Sequence, residues 1–148
     1  MKYKKELYGE ANNLNLKVLI GLSRNTQMVY KRSANIFSNG GLTTAQFAVL
    51  EALYHKGDLS INEIIQSILS TPGNMTVVIN NLEKDQMVYS YTNPEDKRSS
   101  IISITEKGKK KIEEIFPNHL KDLEECFKVL SIEEKQLLIS LLKKLGAK

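Results

Sequence analysis

The segment from residue 60 to residue 108 constrains the fold most, because it predicts two short helices and a hairpin in direct succession. Ser60 and Glu63 have the spacing of a capping box, in which each side chain accepts a hydrogen bond from the other residue's backbone N–H. Isoleucines then recur at helical spacing, at Ile61, Ile64, Ile65 and Ile68. Thr71 can cap a second helix that begins with Pro72, where a missing N–H has no cost. The pattern predicts a helix-turn-helix.

The second predicted helix has two different faces. One is an apolar stripe of Met75, Val78, Ile79 and Leu82. The opposite face carries Gly73, Thr76, Val77, Asn80 and Lys84, with Asn74 and Asn81 at its flanks. A face that only meets solvent is more often rich in Lys and Glu. Asn can pair with adenine, and the methyl groups of Thr76 and Val77 can contact thymine, so this face is interpreted as a reader of the major groove of DNA.

A predicted hairpin follows this helix. Residues 87–92 and 99–104 are rich in β-branched and aromatic side chains, and residues 93–98, NPEDKR, separate them. Asn-Pro initiates turns, which predicts a hairpin with a polar, partly basic tip. A helix-turn-helix followed by such a hairpin is a winged helix. This context favours DNA contact over the alternative of a merely solvated helix face.

These elements resemble the multiple-antibiotic-resistance regulators, the MarR family of bacteria and archaea. The resemblance rests on the sequences GNMTVVINNLEK at 73–84, NPEDKRS at 93–99 and ISITEKG at 102–108. The family's Asp-x-Arg at the wing tip falls on Asp96 and Arg98, and its Leu-Thr-x-x-Gly falls on residues 104–108. The resemblance implies that Arg98 enters the minor groove and that Asp96 orients its guanidinium.

The chain departs from the family pattern at two positions. Gln86 stands where members often have Gly, which predicts another way of ending the recognition helix. Ser90 stands where members often have Arg, which removes one phosphate contact. The predicted DNA-contacting residues are Ser60, Asn62, Thr71, Gly73, Asn74, Thr76, Val77, Asn80, Lys84, Asp96, Lys97 and Arg98. For Lys84, a phosphate contact and pairing with a neighbouring carboxylate stay equally open. The lysines within 107–111 are interpreted as a solvated face that adds general phosphate attraction.

The flanking segments predict a mainly α protein with a small β-hairpin wing, in one domain over residues 1–148. The winged helix-turn-helix occupies residues 43–105, and residues 1–40 and 106–148 form helical dimerisation regions. Glycines at 40 and 41 end the first helix, and Thr43 with Gln46 caps the next one. Pro117 is predicted to kink a long fifth helix without ending it. Ser131 and Glu134 cap the last helix.

Apolar stripes at both ends of the chain exceed what one winged helix can cover. We therefore expect a homodimer held by the terminal helices, as the family resemblance also implies. The predicted dimerisation residues are Leu14, Val18, Leu120, Leu123, Phe127, Leu137, Leu138, Leu141, Leu142 and Leu145.

The resemblance also implies a repressor that leaves a pseudo-palindromic operator when a small effector binds. The residues that could line the effector pocket are Tyr30, Phe37, Phe47, Tyr54 and His119. Each aromatic residue taken singly is more often part of a plain core. Within the family, the run at 73–84 and the Phe-Pro-x-His at 116–119 point to an aromatic or phenolic effector.

Other classes of protein are disfavoured by composition. The net charge of +4 is compatible with nucleic acid binding. No apolar run approaches the roughly 18 residues of a membrane span, and the charged start has no signal-peptide core, so we expect a cytoplasmic protein. One Cys and two His provide no zinc cluster, and no catalytic constellation is present, so neither a cofactor nor an enzymatic activity is expected. Two alternatives stay open: a winged helix for protein–protein assembly, and a thiol sensor that uses Cys126.

Overall fold

The computed structural model describes residues 8–68 and 72–146. The elements in chain order are α1 (Glu10–Asn39), α2 (Thr44–Lys56), β1 (Leu59–Ser60), α3 (Ile61–Ile68), α4 (Pro72–Lys84), β2 (Val88–Thr92), β3 (Ser100–Ile104), α5 (Glu106–Phe127) and α6 (Ile132–Gly146). The predicted fold class, mainly helical with a small β wing, is confirmed. None of the helices in this described part is both long and apolar enough to cross a membrane.

Three helices begin at predicted capping boxes. The Thr43 hydroxyl accepts from the backbone N–H of Gln46 at 3.1 Å, and the Gln46 side chain accepts from that of Thr43 at 3.0 Å. The same reciprocal bonds join Ser60 with Glu63 before α3 and Ser131 with Glu134 before α6. The predicted cap Thr71 lies outside the described residues, and α4 begins at Pro72 as expected.

Helices α1 and α4 end in the same way, with a residue in the left-handed conformation. After α1, Gly41 has φ 87°, and the N–H of Leu42 donates to the carbonyl of Phe37 at 2.9 Å. After α4, Gln86 has φ 61°, and the N–H of Met87 donates to the carbonyl of Leu82 at 2.9 Å. Both are Schellman motifs. The prediction that Gln86 requires another kind of helix ending is wrong, because Gln86 adopts the conformation that Gly would have.

The three strands form an antiparallel sheet in the order β1-β3-β2. Leu59 pairs with Ile102, which places the short strand before α3 beside the wing. In the hairpin, Val88 pairs with Ile104 and Thr92 with Ser100. The turn at the tip is closed by a hydrogen bond of 3.0 Å from the N–H of Asn93 to the carbonyl of Ser99.

Helix α2 lies at the centre of the core, as its apolar character on most sides predicts. It buries Phe47, Val49, Leu50, Ala52 and Leu53. The α3–α4 pair contributes Ile64, Met75, Ile79 and Leu82, and α5 contributes Ile112 and Ile115. Helix α5 runs without interruption through Pro117. Helix α6 buries no residue in the single chain, and the first half of α1 is exposed as well.

Candidate DNA-binding surface and effector site

The outer face of α4 is exposed along its length. Its exposed residues are Asn74, Thr76, Val77, Asn80, Asn81 and Lys84. Met75, Ile79 and Leu82 on the other side are buried, so the predicted division of this helix into two faces is present. Val77 keeps 58% of its surface exposed, so its methyl groups are accessible on this face. Gly73 lies in the first turn of α4.

Two predicted contacts lie at the start of α3, and one lies at the end of α4. The Ser60 hydroxyl accepts from the N–H of Glu63 at 3.2 Å, so it serves the helix cap. Asn62 is exposed beside it. Lys84 forms no ion pair with any carboxylate in residues 8–68 and 72–146, so its ammonium group is available to a phosphate.

The wing tip is held by hydrogen bonds around Asp96. One carboxylate oxygen of Asp96 accepts from the backbone N–H of Arg98 at 3.1 Å, and the Asp96 carbonyl accepts from the N–H of Ser99 at 3.1 Å. Lys97 and Arg98 are exposed. Asp96 therefore holds Arg98 through the backbone of the turn, rather than through the guanidinium that the family resemblance suggests.

Asp58 joins the wing to the loop after α2, a link that was not predicted. Its carboxylate accepts one hydrogen bond from the Ser103 hydroxyl and one from the Tyr91 hydroxyl, both at 2.8 Å. Ser103 is buried, although it is polar. The hydrogen bond to the carboxylate raises the pKa of Tyr91, because it stabilises the protonated phenol. No sequence pattern indicates that a Ser and a Tyr on neighbouring strands share one carboxylate as their hydrogen-bond partner.

An aromatic cluster lies where α1, α2 and α5 meet. The rings of Phe37 and Phe47 stack with centroids 3.9 Å apart, and the His119 ring lies 5.1 Å from the first and 5.5 Å from the second. Phe116, which was not among the predicted pocket residues, lies 6.1 Å from His119. Phe37, Phe47, Phe116 and His119 are called the aromatic cluster below.

The other two predicted pocket residues lie apart from the aromatic cluster. Tyr30 is 67% exposed. The Tyr54 ring packs against His55, and its hydroxyl donates to Glu113 at 3.4 Å. His55 in turn contacts Phe116 with ring centroids 5.2 Å apart, so Tyr54 reaches the cluster only through a second ring.

His119 has a polar atom that the fold leaves unsatisfied. Its Nδ1 is buried and has no hydrogen-bond partner within the described part of the chain. Burial lowers the pKa of His119, because it disfavours the charged imidazolium, and Asp122 and Glu51 oppose this effect. An unpaired buried nitrogen costs free energy, so a ligand group that bonds to it has an energetic advantage.

Arg32 of α1 and Asp122 of α5 form an ion pair beside this cluster. One carboxylate oxygen accepts from Nη2 of Arg32 at 2.7 Å and from Nε at 3.1 Å. This hydrogen bond raises the pKa of Arg32 above its ordinary value. Cys126, one turn beyond Asp122 on α5, is half-buried as a free thiol. The pair links α1 to α5 by a partly exposed ion pair.

Most of the predicted dimerisation residues are exposed in the single chain. The exposed ones are Leu14, Val18, Leu120, Leu137, Leu138, Leu141, Leu142 and Leu145. Leu123 and Phe127 on α5 are half-buried. The exposed leucines on α6 are matched by further exposed apolar residues on the first half of α1, including Leu16, Leu19 and Ile20.

Comparison with known proteins assigns this winged helix to a family. Residues 42–100 match the MarR family. The chain is 37% identical over 131 residues to the HTH-type transcriptional regulator MhqR of Bacillus subtilis, covering 88% of this chain and 90% of that protein. A mutant MarR from E. coli, complexed with operator DNA, has a TM-score of 0.81 at 24% identity, covering 93% of this chain and 99% of that one.

A second solved structure is relevant to ligands. It concerns the regulation of DNA binding of Bordetella bronchiseptica BpsR by 6-hydroxynicotinic acid. The two chains superpose with a TM-score of 0.71 at 25% identity, over 85% of this chain and 98% of that chain. Together with the match to MhqR, these likenesses show that the chain belongs to the MarR family of winged helix-turn-helix transcriptional regulators.

Proposed function

We propose that this protein is a homodimeric, sequence-specific DNA-binding repressor that acts in the cytoplasm and leaves its operator when a small aromatic ligand binds. The observation that carries the DNA-binding part is the face of α4. It is exposed, small and rich in amide and hydroxyl groups, while its opposite side is buried. Such groups suit base edges in the major groove, and the exposed Val77 suits a thymine methyl group.

Dimerisation follows from the exposed apolar surface of α1 and α6. A leucine side chain buried from water stabilises by about 1.5–3 kcal/mol, so a partner that covers α6 gains substantial free energy. A second copy of the chain is the proposed partner, because its α1 and α6 carry the same stripes. Two recognition helices related by a two-fold axis read half-sites about 34–36 Å apart, which explains why the proposed operator is a pseudo-palindrome.

The proposed ligand site is the aromatic cluster. A flat ligand can pack against Phe37, Phe47 and Phe116, and a hydroxyl or carboxylate on it can bond to Nδ1 of His119. The regulation of BpsR by 6-hydroxynicotinic acid supports a small hydroxylated aromatic ligand. Because the Phe37 and Phe47 rings are stacked and buried, the ligand must separate them. That movement provides the structural difference between the DNA-binding conformation and the ligand-bound conformation.

Release requires a ligand that prefers the DNA-free conformation. Moving an equilibrium from mostly bound to mostly free needs a difference of about 5.5 kcal/mol, which two sites per dimer supply more readily than one. Operator DNA must then weaken ligand binding by the same factor. Screening phenols, quinones and aromatic carboxylates for loss of operator binding tests this part, with His119→Phe expected to lose the response.

The DNA-binding part is tested by selecting duplexes from a random pool with the purified protein. Asn80→Ala is expected to weaken binding to the selected duplex by about 1–3 kcal/mol while binding to scrambled DNA stays the same. Asn118→Ala, on the exposed side of α5, is the matched control and is expected to bind as the wild type does. Failure to enrich any sequence would reject this function and favour the alternative of a protein–protein assembly module.

A further inference from the structure

The segment after α4 is held by the first turn of α5 through three consecutive backbone carbonyls. The carbonyl of Asp85 accepts from the Lys107 ammonium at 2.7 Å, that of Gln86 from the Thr105 hydroxyl at 2.7 Å, and that of Met87 from the Thr105 N–H at 3.0 Å. These three carbonyls belong to the segment that directly follows α4, so residues 105 and 107 anchor the C-terminal end of that helix to α5.

The contact between these two segments is close. A Cβ placed on Gly108 would lie 2.4 Å from the Met87 carbonyl oxygen, so this position has no room for a side chain. The Thr105 hydroxyl, which donates to Gln86, also accepts from the N–H of Gly108 at 3.1 Å. One hydroxyl thus caps α5 and bonds to the segment after α4, which couples the positions of that segment and of α5.

Lys107 differs in role from the lysines that follow it. Lys109 pairs with Glu106 at 3.4 Å and Lys111 with Glu114 at 3.6 Å, and both pairs lie within α5. Lys110 is exposed and forms no ion pair with the described residues. Lys107 alone among these four reaches across to the segment that follows α4. A cation at the C-terminal end of a helix also interacts favourably with the helix dipole.

We propose that Lys107 is a positioning residue for base recognition, acting through the carbonyl of Asp85, the residue that directly follows the recognition helix. The inference rests on the proposed DNA binding. Asn80 lies four residues before Lys84, the last residue of α4, or about 6 Å along the helix axis, so a shift at this end moves the base-reading side chains. Hydrogen bonds to base edges tolerate only about 0.5 Å of displacement, whereas phosphate attraction tolerates more. Lys107 therefore contributes to specificity rather than to general DNA affinity.

Three variants separate positioning from charge. Lys107→Met removes the donor and keeps an unbranched side chain, Lys107→Arg keeps a cationic donor, and Lys110→Met removes one exposed charge from the same helix. Each is titrated with the duplex selected by the wild type and with a scrambled duplex, at several salt concentrations. Thermal unfolding and hydrogen exchange of the amides of Asp85, Gln86 and Met87 are measured in parallel.

Lys107→Met is expected to weaken binding to the selected duplex about five- to tenfold, the size of effect expected when one ordinary hydrogen bond is lost. Its binding to scrambled DNA and its salt dependence should match those of Lys110→Met, and Lys107→Arg should restore the specific affinity. Exchange at the end of α4 should become faster, while the melting temperature stays close to that of the wild type.

Three results would overturn this role. Equal losses on both duplexes, with the salt slope reduced by about one, would make Lys107 a phosphate contact. Unchanged specificity, or unchanged exchange at residues 85–87, would show that the bond to Asp85 positions nothing. A wild-type protein that enriches no sequence would reject the proposed DNA binding, and this role with it. If the wild type enriches a sequence but binds it no more tightly than Lys107→Met does, only the role of Lys107 is rejected.

Discussion

The Tyr91 hydroxyl donates a hydrogen bond of 2.8 Å to Asp58, and this contact ties the outer strand of the wing to the loop after α2. The bond raises the pKa of Tyr91 above its ordinary value of 10.0. The unfolded chain therefore loses the Tyr91 proton at a lower pH than the folded one. The bond contributes stability below about pH 10, and this contribution is lost as the pH rises through the folded-state pKa.

We predict that one tyrosine ionises late in an ultraviolet titration of the folded protein. Tyr91→Phe should remove that late component, and Asp58→Ala should lower the pKa of Tyr91 towards its ordinary value. Asp85→Ala, which removes an exposed carboxylate elsewhere, is the control and should leave the titration as it is. A late component that persists in Tyr91→Phe would assign it to another tyrosine.

A second prediction concerns the left-handed residue after α4. An L-residue in this conformation costs about 1–2 kcal/mol relative to the right-handed region, and Gly avoids this cost. Gln86→Gly should therefore raise the free energy of unfolding by about 1 kcal/mol. The substitution keeps the hydrogen bonds of the backbone at this position, because the Thr105 hydroxyl donates to the backbone carbonyl of Gln86 and not to the Gln86 side chain.

The equivalent position after α1 provides the opposite substitution. A Cβ on Gly41 would meet no atom within 4 Å, so Gly41→Ala changes only the backbone preference at φ 87°. We expect it to lower the free energy of unfolding by about 1 kcal/mol, measured like Gln86→Gly by urea denaturation. Opposite signs for the two variants support the Schellman endings; a destabilising Gln86→Gly would show that the Gln86 side chain has another role.

A third prediction concerns the packing of Gly108 against the recognition segment. In Gly108→Ala the new methyl group would lie 2.4 Å from the Met87 carbonyl oxygen, which belongs to the backbone and cannot rotate away. We expect a loss of about 1–3 kcal/mol in the free energy of unfolding. Gly21→Ala, in the exposed part of α1, meets nothing within 4 Å and should stabilise slightly, because Ala favours a helix. Equal stabilities for both variants would contradict the close contact.

How well the sequence predicts this structure depends on how many residues of the chain separate two interacting residues. Capping boxes join residues three apart, so Thr43, Ser60 and Ser131 were placed correctly from local pattern. The Lys107 bond to Asp85 spans 22 residues, that of Tyr91 to Asp58 spans 33, and that of Arg32 to Asp122 spans 90. Nothing local in the sequence indicates which lysine or which carboxylate finds such a partner.

Gln86 and the aromatic cluster illustrate two further limits. Gln86 carries no signal for a left-handed conformation, because a residue other than Gly prefers the right-handed region. Packing of the buried Leu82 and Met87, before and after it in the chain, outweighs that preference. Helical spacing placed Phe37 and Phe47 correctly among residues that face the interior. It could not exclude Tyr30, because the side of α1 that faces α5 depends on how the two helices pack.

A fourth prediction tests the dimer through α6. Leu141→Glu places a charge in the exposed leucine stripe, where a partner would have to bury it at considerable cost. We expect a folded monomer by sedimentation and a loss of binding to the selected duplex. Val129→Glu, at a position that is 79% exposed between α5 and α6 and outside the predicted stripe, is the matched control and should stay dimeric. Identical behaviour of both variants would place the interface elsewhere.

The last prediction concerns the buried imidazole of His119. Burial lowers its pKa below the ordinary value of 6.5, so the unfolded chain binds a proton at a higher pH than the folded chain does. The neutral ring contributes stability that is fully present above about pH 6.5 and is lost as the pH falls towards the folded-state pKa. The free energy of unfolding should therefore decrease between pH 7 and pH 5. His119→Phe keeps a ring among the aromatic residues and should remove this part of the decrease, whereas His55→Gln, which retains His119, should keep it. An unchanged pH dependence in His119→Phe would show that the buried Nδ1 is not what disfavours protonation.

Both histidine variants can also be titrated with any ligand that releases the DNA. A response lost in His119→Phe but retained in His55→Gln would place the ligand at the aromatic cluster, and a response lost instead in Cys126→Ser would establish a thiol sensor.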